Sequence, residues 1–90
     1  MKVYIAGPIT NNPGYREQFD KAEKELTERG HTVMNPAVLP EGFRHHEYMK
    51  ICLSMVDVCD AIHMLSGFME SKGAMMELRY AEATGKMLIP

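Results

Sequence analysis

The sequence predicts an α/β fold: a doubly wound, flavodoxin-like parallel sheet of four strands in the order 2-1-3-4, with helices on both faces. Short apolar runs alternate with longer segments of helical periodicity, in the order β-α-β-α-β-α-β. The connections are short, which favours right-handed βαβ units with parallel strands. The chain has 90 residues, so we expect a single domain over residues 1–90.

The four predicted strands are residues 2–6, 31–34, 60–65 and 86–90. The first is rich in β-formers and ends at Gly7-Pro8, which is typical of a strand buried on both faces. Asn35-Pro36 closes the second strand. Asp60 lies at the amino end of the third, where a cap or turn role is expected.

The three predicted helices cover residues 15–29, about 44–58, and 73–84. Their apolar residues recur at spacings of three and four, as on the buried face of an amphipathic helix. Gly30 and Gly85 follow the first and third helices and are suitable C-terminal stops.

In this strand order the loops after strands 1 and 3 diverge and open a ligand crevice. These loops are residues 7–14 and 66–73, and both are rich in Gly, Ser, Thr or Asn. The residues of the first loop predicted to bind substrate are Gly7, Pro8, Ile9 and Thr10. The alternative is a plain connection in which an Asn caps the next helix.

Composition excludes several classes of protein. The formal net charge is −2 with no Lys/Arg run, which argues against nucleic-acid binding. No apolar stretch approaches the length of a membrane span, and the N-terminus does not resemble a signal peptide.

Cys52 and Cys59 lie in apolar patterns, which predicts two reduced, buried thiols in a cytoplasmic protein. A sheet this small predicts association into a homodimer or higher homo-oligomer.

No cofactor or metal is expected. The chain has no Gly-x-Gly-x-x-Gly, no Walker lysine and no Gly-x-Ser-x-Gly elbow. His45 and His46 are adjacent, but neighbouring residues on a helix point about 100° apart. A surface role, or one lining the mouth of the crevice, is therefore favoured over a metal site.

Glu77 and Ser71 are the candidates for chemistry in the second loop and the helix after it. A carboxylate near a helix N-terminus is stabilised as an anion, and a positioned anion can attack an anomeric carbon. The alternative is an ordinary exposed helical Glu. Ser71 can either cap the helix or bind a phosphate beside free backbone N–H groups.

Three segments together resemble the nucleoside 2-deoxyribosyltransferase superfamily. They are Val3-Tyr4-Ile5-Ala6-Gly7-Pro8, Cys59-Asp60-Ala61-Ile62, and Ser71-x-Gly73-x-x-x-Glu77-Leu78-x-Tyr80-Ala81 with Gly85-Lys86. The chain also resembles the related 2'-deoxynucleoside 5'-phosphate N-hydrolases, and most of all short uncharacterised bacterial and phage domains of that superfamily. The resemblance covers nearly the whole chain.

The resemblance implies roles for individual residues. Glu77 matches the nucleophile that attacks C1' of deoxyribose, and Tyr4 matches a tyrosine that orients it or contacts the sugar. Ser71 and Gly73 match substrate-binding positions, and a Ser at position 71 resembles the nucleotide hydrolases, where it contacts the 5'-phosphate. Where the family often has an acid/base Asp, this chain has Cys52.

The function implied is cleavage of the N-glycosidic bond of a 2'-deoxynucleoside or its 5'-monophosphate through a deoxyribosyl–Glu77 intermediate. Asp57 and Glu47 are candidates to replace the acid/base Asp. The alternative is a non-catalytic nucleotide-binding module of the same fold. A third possibility is a structural subunit that pairs through the exposed edge of strand 4.

Overall fold

The computed structural model describes residues 1–90. Its sheet contains β1 (Lys2–Ala6), β2 (Thr32–Met34), β3 (Ala61–Met64) and β4 (Met87–Ile89). The strand order is β2-β1-β3-β4, and all neighbouring strands are parallel. The fold class and strand order predicted from the sequence are confirmed.

The three helices are α1 (Tyr15–Glu28), α2 (His45–Asp57) and α3 (Lys72–Ala83). Alternate residues of β1 point to opposite faces of the sheet. Val3 and Ile5 belong to an apolar cluster with α1, whereas Tyr4 and Ala6 belong to a second cluster with α2 and α3. The sheet is therefore covered by helices on both faces, as predicted, and each predicted element boundary agrees to within one residue.

Two connections predicted as irregular loops contain short 3₁₀ turns, Pro36–Val38 and Phe68–Glu70. The first is held by Asn35, a buried residue whose side-chain oxygen accepts a hydrogen bond from the Ala37 N–H at 2.8 Å. The Asn35 amide also donates to the Glu23 carboxylate of α1 at 2.9 Å. These contacts anchor the connection after β2 beside α1.

The carboxyl ends of β1 and β3 come very close together. The Leu65 N–H donates to the Ala6 carbonyl at 2.8 Å. A Cβ atom on Gly7 would lie only 2.8 Å from the Leu65 Cβ, so a side chain there would force the two strand ends apart. At the opposite edge, the Asp60 carboxylate accepts from the Lys2 N–H at 2.9 Å and so links the start of β1 to the residue before β3.

Cys52 and Cys59 are both buried and free, as predicted.

On the edge strand β4, Met87 and Leu88 are more than half exposed. No helix in the structure combines the length and the apolar character that a membrane span requires.

Candidate active site at the carboxyl ends of the strands

A cavity of about 700 Å³ opens where the loops after β1 and β3 diverge. Its volume is within the range of small-molecule sites. The residues predicted from the sequence all line it: Tyr4, Gly7, Pro8, Ile9, Thr10, Ser71, Gly73 and Glu77. The structure thus brings these residues together around one cavity, and their roles toward a substrate remain predictions.

Glu77 lies on the buried face of α3 together with Ala74 and Ala81. Only 7% of its surface is exposed, so the alternative of an ordinary exposed helical Glu is wrong. The small alanine side chains allow α3 to approach the sheet closely. The Glu77 carboxyl consequently borders the cavity rather than the bulk solvent.

Burial raises the pKa of Glu77 to about 7, and the nearby Tyr4 hydroxyl and Cys52 thiol oppose that rise. The expectation that the helix N-terminus holds Glu77 as a ready anion is therefore wrong. Glu77 lies beyond the first turn of α3, where the influence of the helix dipole has fallen off. Loss of hydration is the larger effect and favours the neutral acid.

Tyr4 and Cys52 complete a buried polar cluster with Glu77. The Tyr4 hydroxyl makes no hydrogen bond of good geometry, so its contacts with the other two groups are loose. Burial raises the pKa of Cys52 to about 11, and burial together with the Glu77 charge raises that of Tyr4 well above its usual range. Both groups are neutral at pH 7, and Glu77 alone in the cluster changes charge near neutrality.

Ser71 is the N-cap of α3, because its hydroxyl oxygen accepts a hydrogen bond from the Ala74 N–H at 3.1 Å. The capping role considered from the sequence is thus confirmed. Ser71 also lines the cavity, and its hydroxyl hydrogen is available to donate to a ligand.

The loop after β1 is held by side chains rather than by a helix cap. Asn12 donates to the Pro8 carbonyl at 2.9 Å and to the Gln18 side chain at 3.0 Å. Gln18 in turn donates to the Ser66 carbonyl at 3.1 Å. The N-cap of α1 is Gly14 with no side-chain bond, so the idea that an Asn caps this helix is wrong. Instead, Asn12 links the two loops that form the cavity.

The carboxylates suggested as replacements for an acid/base Asp lie elsewhere. Asp57 accepts from the Tyr80 hydroxyl at 3.1 Å, and Glu47 accepts from the Arg44 N–H at 2.7 Å. Neither lines the cavity. Of the adjacent histidines, His45 lines the cavity and His46 does not, so the mouth-lining role predicted for the pair belongs to His45.

Part of the cavity wall was missed by reasoning from sequence. Tyr48 of α2 lines the cavity together with Leu39 and Phe43, which belong to the connection between β2 and α2. The Tyr48 and Phe43 rings meet edge to face at 5.7 Å, and the Tyr48 hydroxyl donates to the Pro40 carbonyl at 2.6 Å. Their position in the sequence could have indicated this. The connection after β2 is rich in Pro and Gly, and because it follows a parallel strand it lies at the edge of the sheet where ligands bind.

The chemistry available in the cavity is that of one buried carboxyl group. No group of three His, Cys, Asp or Glu side chains is arranged to hold a metal ion. The one ion pair in the structure joins Arg16 and Glu41, so Glu77 has no cationic partner. A carboxyl group with a pKa near neutrality can act as a nucleophile when ionised or as an acid when protonated.

Comparison with known proteins gives a family and a fold. A family model described as "Domain of unknown function (DUF4406)" matches residues 1–90. No protein of curated function matches the sequence.

Two similar solved structures are deoxyribosyltransferases. The 2-desoxiribosyltransferase from Leishmania mexicana superposes with a TM-score of 0.75 at 22% identity, covering 98% of this chain and 61% of that protein. The 2-deoxyribosyltransferase from Bacillus psychrosaccharolyticus gives a TM-score of 0.75 at 24% identity, covering 98% of this chain and 69% of that protein. The resemblance seen in the sequence is confirmed at the level of fold.

Proposed function

The chain belongs to the DUF4406 family, described only as a domain of unknown function, and we propose that it cleaves the N-glycosidic bond of 2'-deoxynucleosides or their 5'-monophosphates. In this proposal residues 1–90 form one deoxyribosyltransferase-like unit. The observation that carries it is the Glu77 carboxyl, which is 7% exposed, lacks a cationic partner and borders a ligand-sized cavity. Burying such a group costs stability, so its presence beside a cavity favours a chemical role.

The proposed reaction has two steps. The ionised Glu77 carboxylate attacks C1' of the deoxyribose, the bond from C1' to the base nitrogen breaks, and a deoxyribosyl ester forms on Glu77. Water then attacks C1', the ester bond from C1' to Glu77 breaks, and the free sugar leaves, so that the protein acts as a hydrolase. A second base attacking in place of water would make it a transferase.

The surrounding residues support binding of a sugar with a base. The Ser71 hydroxyl lies at the start of α3, where free backbone N–H groups also favour a 5'-phosphate. Gly7, Pro8, Ile9 and Thr10 of the loop after β1 line the same cavity. The ligand in this proposal is a nucleoside or nucleotide, no cofactor is required, and the protein acts as a homodimer or higher homo-oligomer.

A non-catalytic nucleotide-binding module is the second candidate. It is favoured by the neutral Cys52 thiol beside Glu77 and by the positions of Asp57 and Glu47 outside the cavity. The buried cluster therefore contains no second carboxyl group, besides Glu77, that could donate a proton to the leaving base.

Incubation with the four 2'-deoxynucleosides and their 5'-monophosphates distinguishes the two candidates. We expect free base to be released from at least one of them, as seen by chromatography, and a deoxyribosyl adduct on the protein by intact-mass spectrometry. Release of base from none of them, together with a higher unfolding temperature when a nucleotide is added, would instead support the binding module.

Tyr4→Phe tests the link between the buried cluster and the reaction. The Tyr4 hydroxyl lowers the pKa of Glu77. In the natural protein the acidic limb of the pH profile of kcat/KM should have its midpoint near pH 7. Removal of the hydroxyl should move that midpoint to higher pH. The hydroxyl makes no good hydrogen bond, so the free energy of unfolding should change by less than about 1 kcal/mol. Tyr80→Phe, which alters a hydroxyl bonded to Asp57 outside the cavity, should leave the midpoint in place. An unmoved midpoint for Tyr4→Phe would contradict the coupling.

A further inference from the structure

The proposed reaction requires a proton for the departing base, and the groups beside Glu77 do not supply it. When the bond from C1' to the base breaks, the electron pair remains on a base nitrogen and must be neutralised. Burial keeps the Cys52 thiol from ionising near neutral pH. Asp57 and Glu47 are engaged by Tyr80 and Arg44 away from the cavity.

His45 is the one histidine among the residues that line the cavity. It is the first residue of α2 and shares a helical face with Met49 and Cys52, which line the same cavity. Cys52 is beside Glu77, and His45 is seven residues before it, which is about 10 Å along the helix axis. His45 and the buried cluster around Glu77 therefore border the same cavity about two turns of α2 apart.

The His45 ring lies beside the first turn of α3, next to Gly73. A Cβ atom on Gly73 would lie 3.7 Å from the His45 Cε1 and 3.5 Å from the Met49 sulfur. Gly73 lies one helical turn before Glu77 on the same face of α3. The imidazole and the carboxyl group therefore border the same end of α3, and the absent side chain at position 73 leaves space beside the ring.

We propose that His45 is the catalytic residue that protonates the leaving base, an inference that rests on the function proposed above. As Glu77 bonds to C1' and the base departs, the His45 imidazolium donates a ring N–H proton to the base nitrogen that receives the electron pair. The products are the neutral base, neutral His45 and the deoxyribosyl ester. In hydrolysis the neutral imidazole takes a proton from the attacking water, the ester bond to Glu77 breaks, and both groups return to their starting states.

The other charged residues at the cavity mouth are Glu41, Glu70 and Lys72. A donor that must also accept a proton in the second step is best served by a group that changes charge near neutral pH, and histidine is the side chain with that property. His46 follows directly in the chain but lies outside the cavity, which makes it a matched control.

The test compares two leaving groups in His45→Gln, His46→Gln and Glu77→Gln. With 2'-deoxynucleosides, whose bases need a proton, His45→Gln should lower kcat by at least about 100-fold. With a 2-deoxyriboside of p-nitrophenol, which leaves as a stable anion, bond cleavage in His45→Gln should stay within a few-fold of the natural protein in a single turnover. Glu77→Gln should lose both reactions, and His46→Gln neither.

The outcomes separate the two proposals. If His45→Gln loses both substrates equally, or neither, His45 is not the proton donor and the proposed function stands on Glu77 alone. If the natural protein cleaves neither class of substrate, the proposed function fails and the role of His45 fails with it. Circular dichroism of each variant checks that the fold is retained.

Discussion

Glu77→Gln should lower the rate of base release from 2'-deoxynucleosides by on the order of 10⁴-fold or more, as expected when a covalent nucleophile is removed. The amide has nearly the same shape as the carboxylic acid but cannot form the deoxyribosyl ester. The measurement is chromatographic detection of free base, with intact-mass spectrometry to show that the adduct is lost.

Glu82→Gln is the matched control for this experiment. Glu82 lies on α3 but is exposed and does not line the cavity, so its substitution should leave base release unchanged. Equal rates for Glu77→Gln and the natural protein would exclude Glu77 as the nucleophile. The proposed function would then require another residue to react with C1'.

Glu77 should also make the protein less stable as the pH rises. In the unfolded chain its pKa is near 4.5, whereas burial raises it to about 7 in the folded protein. Between these values the folded state holds a proton that the unfolded state has released, so the free energy of unfolding falls as pH rises through this window. The shift corresponds to about 3 kcal/mol, fully present below pH 4.5 and lost above pH 7.

Glu77→Gln isolates this contribution, because Tyr4 and Cys52 stay neutral across the window. We expect the variant to match the natural protein near pH 4 and to be more stable by up to about 3 kcal/mol at pH 8. Urea denaturation at pH 4, 6 and 8 measures the difference. A difference that does not change with pH would mean that Glu77 is hydrated in the folded protein.

These two results together would indicate a trade of stability for function. A domain of this size has a free energy of unfolding of about 5–15 kcal/mol, so about 3 kcal/mol is a considerable fraction. Natural proteins retain a destabilising buried charge where chemistry requires it. A variant that is more stable and inactive would show that Glu77 is kept for the reaction and not for the fold.

Much of the fold could be predicted from local signals. Short apolar runs identified the strands and helical periodicity identified the helices, each to within one residue, and Gly30 and Gly85 marked the ends of two helices. Strand order followed from the short βαβ connections, and the crevice followed from the strand order. These properties depend on backbone geometry and chain connectivity, which a sequence expresses directly.

Details of the site could be predicted only in part. The sequence left Glu77 as either a site residue or an ordinary exposed helical Glu. Its burial, which raises its pKa, depends on how α3 packs in the folded protein. The neighbours His45 and His46 differ only in rotation about the α2 axis. Which of them lines the cavity is decided by how α2 packs against α3 near Gly73.

By itself, the sequence determined the α/β class, the strand order and the edge of the sheet where the cavity forms, because local periodicity and short connections leave few topologies. It also indicated some of the residues that line that cavity, through the two loops that follow strands 1 and 3. Only the tertiary structure decided that Glu77 is buried without a cation, that Cys52 is a neutral neighbour, and that Asp57 and Glu47 lie elsewhere. Those facts depend on the packing of residues distant in the chain, which controls hydration and therefore charge.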